Sequence, residues 1–272
     1  MTTPESVKIG QPSEPGEYDE GMLALLQIIW GDGFLSPGGA DEVARILEDS
    51  DIGGCQVLDI GCGLGAIDEL LVTRYGAASV VGIDIDPNLL AGMRARIGRA
   101  NLEGRICGIK VEPGPLPFAD AGFDVVFSKD SMVQIPGKAA MFSEILRVLR
   151  PGGRFLAGDW LRGGSGDYSP EMMEYFRLEG ITYNMTTLGE SAAALRAAGF
   201  VGVDVKDRRA WYSSLARHEL NAMEGNLKPT ILARIGPART RHFLDNWRQL
   251  VLVLDRGELR PGHLKAVKPT GS

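Results

Sequence analysis

Cysteine and histidine are scarce in this chain: three of each in 272 residues, and both sets are dispersed. Cys55, Cys62 and Cys107 are too few and too scattered for a disulfide framework or a zinc site. His218 is followed by Glu219, Leu220, Asn221 and Ala222, so the second histidine of a zinc-protease helix is missing and an exposed helical pair is expected. No apolar run is long enough to span a bilayer, and the polar opening lacks a basic segment leading into an apolar one. A cytoplasmic protein without a structural metal is therefore expected. Positive charge is also short. With 29 Lys+Arg against 35 Asp+Glu the net charge is −6, whereas a sequence-independent nucleic-acid binder needs a surplus of Lys and Arg. The hydrophobic fraction of 44% and charged fraction of 24% are those of a globular chain, long enough to enclose a pocket for a small molecule as well as a core.

Hydrophobic patterning divides the chain into three stretches. Residues 1–47 hold a Pro/Gly/Ser/Glu-rich arm, an apolar helix over Glu20 to Trp30 and a short helix from Ala40 to Leu47, with breaks at Gly31-Asp32-Gly33 and Ser36-Pro37-Gly38-Gly39. Residues 48–160 alternate short apolar strands with amphipathic helices. The strands are Val57 to Ile60, Val80 to Asp84, Ile106 to Val111, Phe123 to Phe127 and Arg154 to Trp160, the last entered through a turn at Pro151-Gly152-Gly153. Such alternation predicts a doubly wound α/β sheet, mostly parallel and covered on both faces. Residues 161–272 are looser. Two helices, a strand over Val201 to Val205, a largely helical excursion from Trp211 to Asp255 interrupted near Pro229 and Gly236-Pro237, and a last strand over His263 to Val267 predict a helical cap lying over the sheet.

The sharpest local signal is Val57-Leu58-Asp59-Ile60-Gly61-Cys62-Gly63-Leu64-Gly65-Ala66. Glycines 61, 63 and 65 after a buried strand let the backbone turn sharply and approach a ligand. Asp84, ending the second strand, is placed to accept hydrogen bonds from both hydroxyls of a ribose. Both features also satisfy a dinucleotide fingerprint. Asp59 separates the two readings. A carboxylate just before the glycines repels a pyrophosphate and favours a ligand bearing an ammonium and a sulfonium.

With Leu116-Pro117-Phe118, Phe123-Asp124-Val125-Val126 and Leu149-Arg150-Pro151-Gly152-Gly153 following in order, residues 55–160 resemble the class I S-adenosylmethionine-dependent methyltransferases. That resemblance implies a Rossmann-like seven-stranded sheet with its last strand antiparallel, an N-terminal helical lid and a cap inserted before the last strand. It implies S-adenosyl-L-methionine as cofactor and S-adenosyl-L-homocysteine as product. Gly61, Gly63 and Gly65 would lie along the amino-acid part, Asp84 on the ribose and Ile85 on the adenine. Glu112 would stand toward the adenine amino group, next to Pro113, which removes a backbone N–H there. Lys129 would sit near the cofactor carboxylate or the substrate.

The flanks narrow the resemblance. Tyr18, the run from Trp30 to Gly39, and Phe127-Ser128-Lys129-Asp130-Ser131-Met132-Val133-Gln134 are similar to the phosphoethanolamine N-methyltransferases and, more loosely, the sarcosine/dimethylglycine N-methyltransferases. In that group the first helix and the loop at Ser36 would close over the cofactor. Tyr18 and a histidine at the position of Gln134 would form the catalytic pair, and the similarity reaches Tyr183 and the closing strand at His263.

Two departures matter. Gln134 has no titratable acceptor and cannot act as a general base. Near Tyr183, where the group carries an arginine for the substrate phosphate, this chain has Glu179, Gly180 and Ile181, and a carboxylate repels a phosphate. The expectation is methyl transfer to a small-molecule acceptor, with an amine nitrogen first. Sulfur, oxygen or carbon acceptors remain the alternatives, as does a non-catalytic binding module. Gln134 and Tyr18 would orient the acceptor, Asp130 would be the first candidate base, and Trp160 at the end of the fifth strand would touch substrate. Other aromatic residues are expected mainly as packing, and Arg208 and Arg209 mainly as a solvated helix end. Neither nucleic acid nor membrane is an expected partner, and a monomer or homodimer is expected.

Overall fold

The structure, a computed structural model, describes residues 20–180 and 183–271. Among them, seven strands form one sheet: β1 (Gln56–Ile60), β2 (Ser79–Asp84), β3 (Ile106–Lys110), β4 (Phe123–Lys129), β5 (Leu149–Asp159), β6 (Val201–Asp207) and β7 (Gly262–Val267). Their order is β3-β2-β1-β4-β5-β7-β6. Strands β1 to β5 run parallel, and β7 lies antiparallel between β5 and β6.

Helices α1 (Glu20–Trp30) and α2 (Gly39–Ile46) precede the sheet. Next, α3 (Ala66–Thr73) follows β1, α4 (Pro87–Ala100) follows β2 and α5 (Lys138–Val148) follows β4. Between β5 and β6 lie α6 (Pro170–Glu179) and α7 (Leu188–Ala198); between β6 and β7 lie α8 (Arg209–Glu224) and α9 (Lys228–Arg256).

The strands read as continuous apolar runs because both of their faces are covered. Successive side chains alternate between two cores. Val57, Val125 and Phe127 pack with Ile46, Leu71 and Met93 on one side. Leu58, Val126 and Phe155 pack with Phe142, Ile145 and Leu195 on the other. A third apolar cluster joins α1, α6, α8 and α9 through Leu25, Phe176, Tyr212, Met223 and Trp247. Within it the carboxylate of Glu219, only 6% exposed, accepts hydrogen bonds from two indoles, Trp30 Nε1 at 2.7 Å and Trp247 Nε1 at 3.0 Å. One acidic side chain thus ties the first helix to the last.

One element differs from the patterning. Strand β5 begins at Leu149, so the expected turn at Pro151-Gly152-Gly153 is part of the strand. Gly152, at φ +77°, donates to Lys268 O, while Lys268 N donates to Gly153 O. Turn-forming residues are held in the sheet as an irregularity, with the β4–β5 register shifting between Phe123 and Val125. The helical excursion is interrupted where expected: α8 ends before Pro229, which stands in the first turn of α9, and Gly236, at φ +76° and ψ 170°, breaks the helical course of α9 just before Pro237.

Because β1 is flanked by β2 and β4, whose connecting helices lie on opposite faces, a crevice opens beyond the carboxyl ends of these strands. Open α/β sheets bind ligands at this switch point.

Candidate active site

A cavity of about 1190 Å³ fills that crevice. Its floor is the loop after β1. Gly61 N and Cys62 N both donate to Ile83 O, at 2.8 and 3.1 Å, folding the loop over the end of β2. Gly61 has φ +80°, and a Cβ there would stand 2.0 Å from Ser131 Oγ. Only glycine lets this backbone and the segment after β4 approach so closely.

Asp84 is the polar centre of this end. Its Oδ2 accepts from Gly63 N and its Oδ1 from Asp86 N, each at 2.9 Å. Burial raises the carboxyl, and the backbone donors pull the other way. A carboxylate has about four acceptor positions. With backbone N–H groups on both oxygens, the carboxylate keeps acceptor capacity suited to a ribose hydroxyl. Beside it Ile85 is 54% exposed yet lines the cavity, an apolar surface available to a flat ring. Glu112 and Pro113 stand on the rim of the same wall, with the exposed Glu112 carboxylate paired to Lys110.

Two expected cofactor contacts stand outside the cavity wall. Gly65 does not line the cavity. It precedes α3 at φ +78°, where a Cβ would lie 2.6 Å from Met93 Cγ, so it permits helix packing. Asp59, 1% exposed, is also outside the cavity wall, facing Asp68 on α3. Burial pushes both carboxyls up, Asp68 to about 7 and Asp59 well above the ordinary range, with the charges of Asp68 and Asp84 adding to the latter. None of their four oxygens has another partner among the described residues. The pair holds a proton, which weakens the field that Asp59 was expected to exert on a ligand.

Lys129 lines the cavity, as expected, with its ammonium engaged inside the protein. Its Nζ donates to Ser36 Oγ at 2.7 Å, Pro37 O at 2.9 Å and Asp130 Oδ2 at 2.7 Å. An ammonium has three donors; two fasten the Ser36 loop to the end of β4 and the third holds Asp130. Ser36 does line the cavity, as expected.

On the opposite wall Asp130, Gln134, Trp160 and Tyr183 are brought together, as expected. Asp130 has φ +56° and its amide donates to Gly158 O at 2.8 Å. Burial pushes its carboxyl up, and the Lys129 ammonium pulls it down. Its Oδ1 has no hydrogen-bond partner among the described residues. Gln134 ends a short 3₁₀ turn, Met132–Gln134, held by Asn184 Nδ2 donating to its carbonyl at 3.1 Å. Tyr18 lies outside the described residues.

The aromatic side chains divide. Trp30, Trp160 and Tyr175 reach the cavity, whereas Tyr168, Trp211 and Tyr212 are packing residues. Arg208 is not a solvated helix end. Its guanidinium holds Glu42 through Nε at 3.2 Å and Nη2 at 2.7 Å, and His263 Nε2 lies 2.6 Å from the same carboxylate. Burial alone raises the Glu42 carboxyl, but the His263 and Arg208 bonds outweigh it and hold it below the ordinary range.

The patterning also missed Asp68 and Glu42. Each stands in the first turn of a helix, where an acidic residue is ordinarily explained by the helix dipole alone. Asn246 was missed as well. It lies 4% exposed on α9, with its Nδ2 donating to Glu179 Oε2 at 2.5 Å.

Known proteins share this arrangement. A methyltransferase-domain profile matches residues 57–153. Phosphoethanolamine N-methyltransferase 1 of Zea mays is 30% identical over 257 residues, 93% of this chain and 49% of the relative. The chain spans about half the length of the first such curated relatives. Methyltransferase GfsG of Streptomyces halstedii is 30% identical over 71% of this chain and 75% of its own length. Among solved structures, Haemonchus contortus phosphoethanolamine N-methyltransferase 2, in complex with phosphomonomethylethanolamine and S-adenosylhomocysteine, superposes with a TM-score of 0.85 at 25% identity. That match covers 93% of this chain and 59% of the other. The switch-point cavity, the carboxylate of Asp84 and these likenesses agree: the chain belongs to the S-adenosylmethionine-dependent methyltransferases.

Proposed function

We propose that this chain transfers the methyl group of S-adenosyl-L-methionine to a small-molecule acceptor, an amine nitrogen. The observation that carries the reading is Asp84. Its carboxylate is held by Gly63 N and Asp86 N, keeps acceptor capacity toward the cavity, and stands next to the exposed apolar side chain of Ile85. Ribose and adenine fit those two neighbours, and the cramped turn at Gly61 accepts the extended amino-acid part. When bound, the cofactor supplies a sulfonium methyl open to in-line attack.

The protein's own part is positioning and exclusion of water, which contribute up to about 7–11 kcal/mol in such displacements. Lys129 clamps the Ser36 loop against β4, closing one side of the cavity. Asp130 offers its Oδ1 to an N–H of the acceptor, which turns the nitrogen lone pair into the cavity. The same oxygen takes up a proton where the acceptor enters as an ammonium. Gln134 orients the acceptor without exchanging a proton, and Tyr18 is proposed as a further polar contact. The enzymes resembled carry phosphoethanolamine N-methyltransferase names. A phosphate-bearing acceptor is disfavoured in this chain because Glu179 lines the substrate side of the cavity.

The test is release of S-adenosyl-L-homocysteine by purified protein against small amines, thioethers and phosphoethanolamine. Release with an amine supports the reading. Cofactor binding without release from any acceptor would instead favour a non-catalytic binding module.

A further inference from the structure

Beside the main cavity, sharing part of its wall, lies a second, smaller space of about 50 Å³, an extension of the site. It shares Trp30, Trp160, Tyr175 and Glu179 with the main cavity and adds Asn246. Its polar atoms do not balance. The Asn246 amide gives its donor to Glu179 Oε2, and its Oδ1 is buried with no partner among the described residues. Asn246 is the one hydrogen-bond donor to Glu179 among the described residues, and no ion pair among them neutralises it. Glu179 therefore lines a small space among aromatic residues beside the buried Asn246 oxygen, with no cation among the described residues to meet either. An unsatisfied buried acceptor costs about 1–3 kcal/mol, more when charged, so a donor that completes the arrangement stabilises it.

We propose that this extension binds a cationic nitrogen at the far end of the acceptor, so that the substrate is an amine carrying a second, protonated amino group remote from the nitrogen that is methylated. An ammonium brings only donors, which suits Glu179 and the free Asn246 oxygen together. The faces of Trp30, Trp160 and Tyr175 add cation–π attraction in a site with little water. Burial pushes the Glu179 carboxyl up, and an incoming cation offsets that penalty by holding it ionised. The volume admits a terminal ammonium and excludes a bulky tail. This proposal rests on the methyl-transfer reading only for the identity of the near end.

The experiment is an equilibrium titration of the full chain, saturated with S-adenosyl-L-homocysteine, followed by tryptophan fluorescence. The probes are 1,4-diaminobutane, 1-aminobutane and phosphoethanolamine; the proteins are the wild type, Glu179→Gln and Glu179→Arg. The wild type is expected to bind the diamine at least tenfold more tightly than the monoamine. In Glu179→Gln that preference disappears, and Glu179→Arg reverses it in favour of phosphoethanolamine. Calorimetry with S-adenosyl-L-homocysteine on each protein checks that the fold survives. The proposal is overturned if the wild type shows no preference, through equal binding or through binding neither amine, or if Glu179→Gln keeps the preference. Failure to bind S-adenosyl-L-homocysteine in the wild type would overturn the methyl-transfer reading, a result distinct from either.

Discussion

At the scale of single residues, the account turns on which carboxylates face the cavity and which are sealed behind it. Asp84 faces it. Hydrogen bonds to a charged group are worth about 1.5–3 kcal/mol, so Asp84→Ala is expected to weaken S-adenosyl-L-homocysteine binding by about ten- to a hundredfold in calorimetry; unchanged affinity would remove Asp84 from the site. Gln134→Ala is expected to lower turnover, because orientation is lost, while Gln134→His leaves an orienting group in place. Unchanged turnover in both would exclude Gln134. The nucleotide end of the site was largely legible in the sequence, since Gly61, Gly63, Asp84 and Ile85 are close along the chain and follow strands whose register is fixed by burial. The acceptor end was legible only in part. Asp59 is sealed beside Asp68 on α3, and whether the Lys129 ammonium is free depends on a loop far along the chain, since Ser36 and Pro37 take two of its donors.

At the scale of elements, the buried carboxylates act as fasteners. Glu42 joins α2 to Arg208, at the start of α8, and to His263 on β7. Removing one partner of a buried ion pair typically costs about 3–5 kcal/mol because the other charge is left uncompensated. Glu42→Gln is therefore expected to lower stability by about that amount in denaturant titration, and a loss under 1 kcal/mol would contradict the fastening role. The parallel strands and their helices were readable from the alternation of short apolar runs with amphipathic stretches, Pro87 standing in the first turn of α4. The break at Gly236-Pro237 was readable too, from the two residues that cannot continue a helix there. The start of β5 was not: Pro151-Gly152-Gly153 is a local breaking signal, overridden by pairing with the chain after β7.

For the whole molecule, buried acids set a pH dependence. Burial raises Asp68 and Asp159 to about 7, from an ordinary value of 3.8. Between about pH 4 and 7 the folded chain holds protons that the unfolded chain has released, so these groups' contribution to stability is complete below pH 4 and is lost as pH rises through 7. The unliganded protein is expected to melt several degrees lower at pH 8 than at pH 5, and Asp68→Asn to flatten that slope. A wild-type midpoint that rises over the same interval would contradict the protonated state of these acids.

The most direct test of the central claim is a calorimetric titration of the purified chain with S-adenosyl-L-homocysteine and, separately, with NADH. One molecule of S-adenosyl-L-homocysteine per chain, no heat with NADH and weakened binding in Asp84→Ala are the results predicted. Uptake of NADH with no heat from S-adenosyl-L-homocysteine would contradict the account.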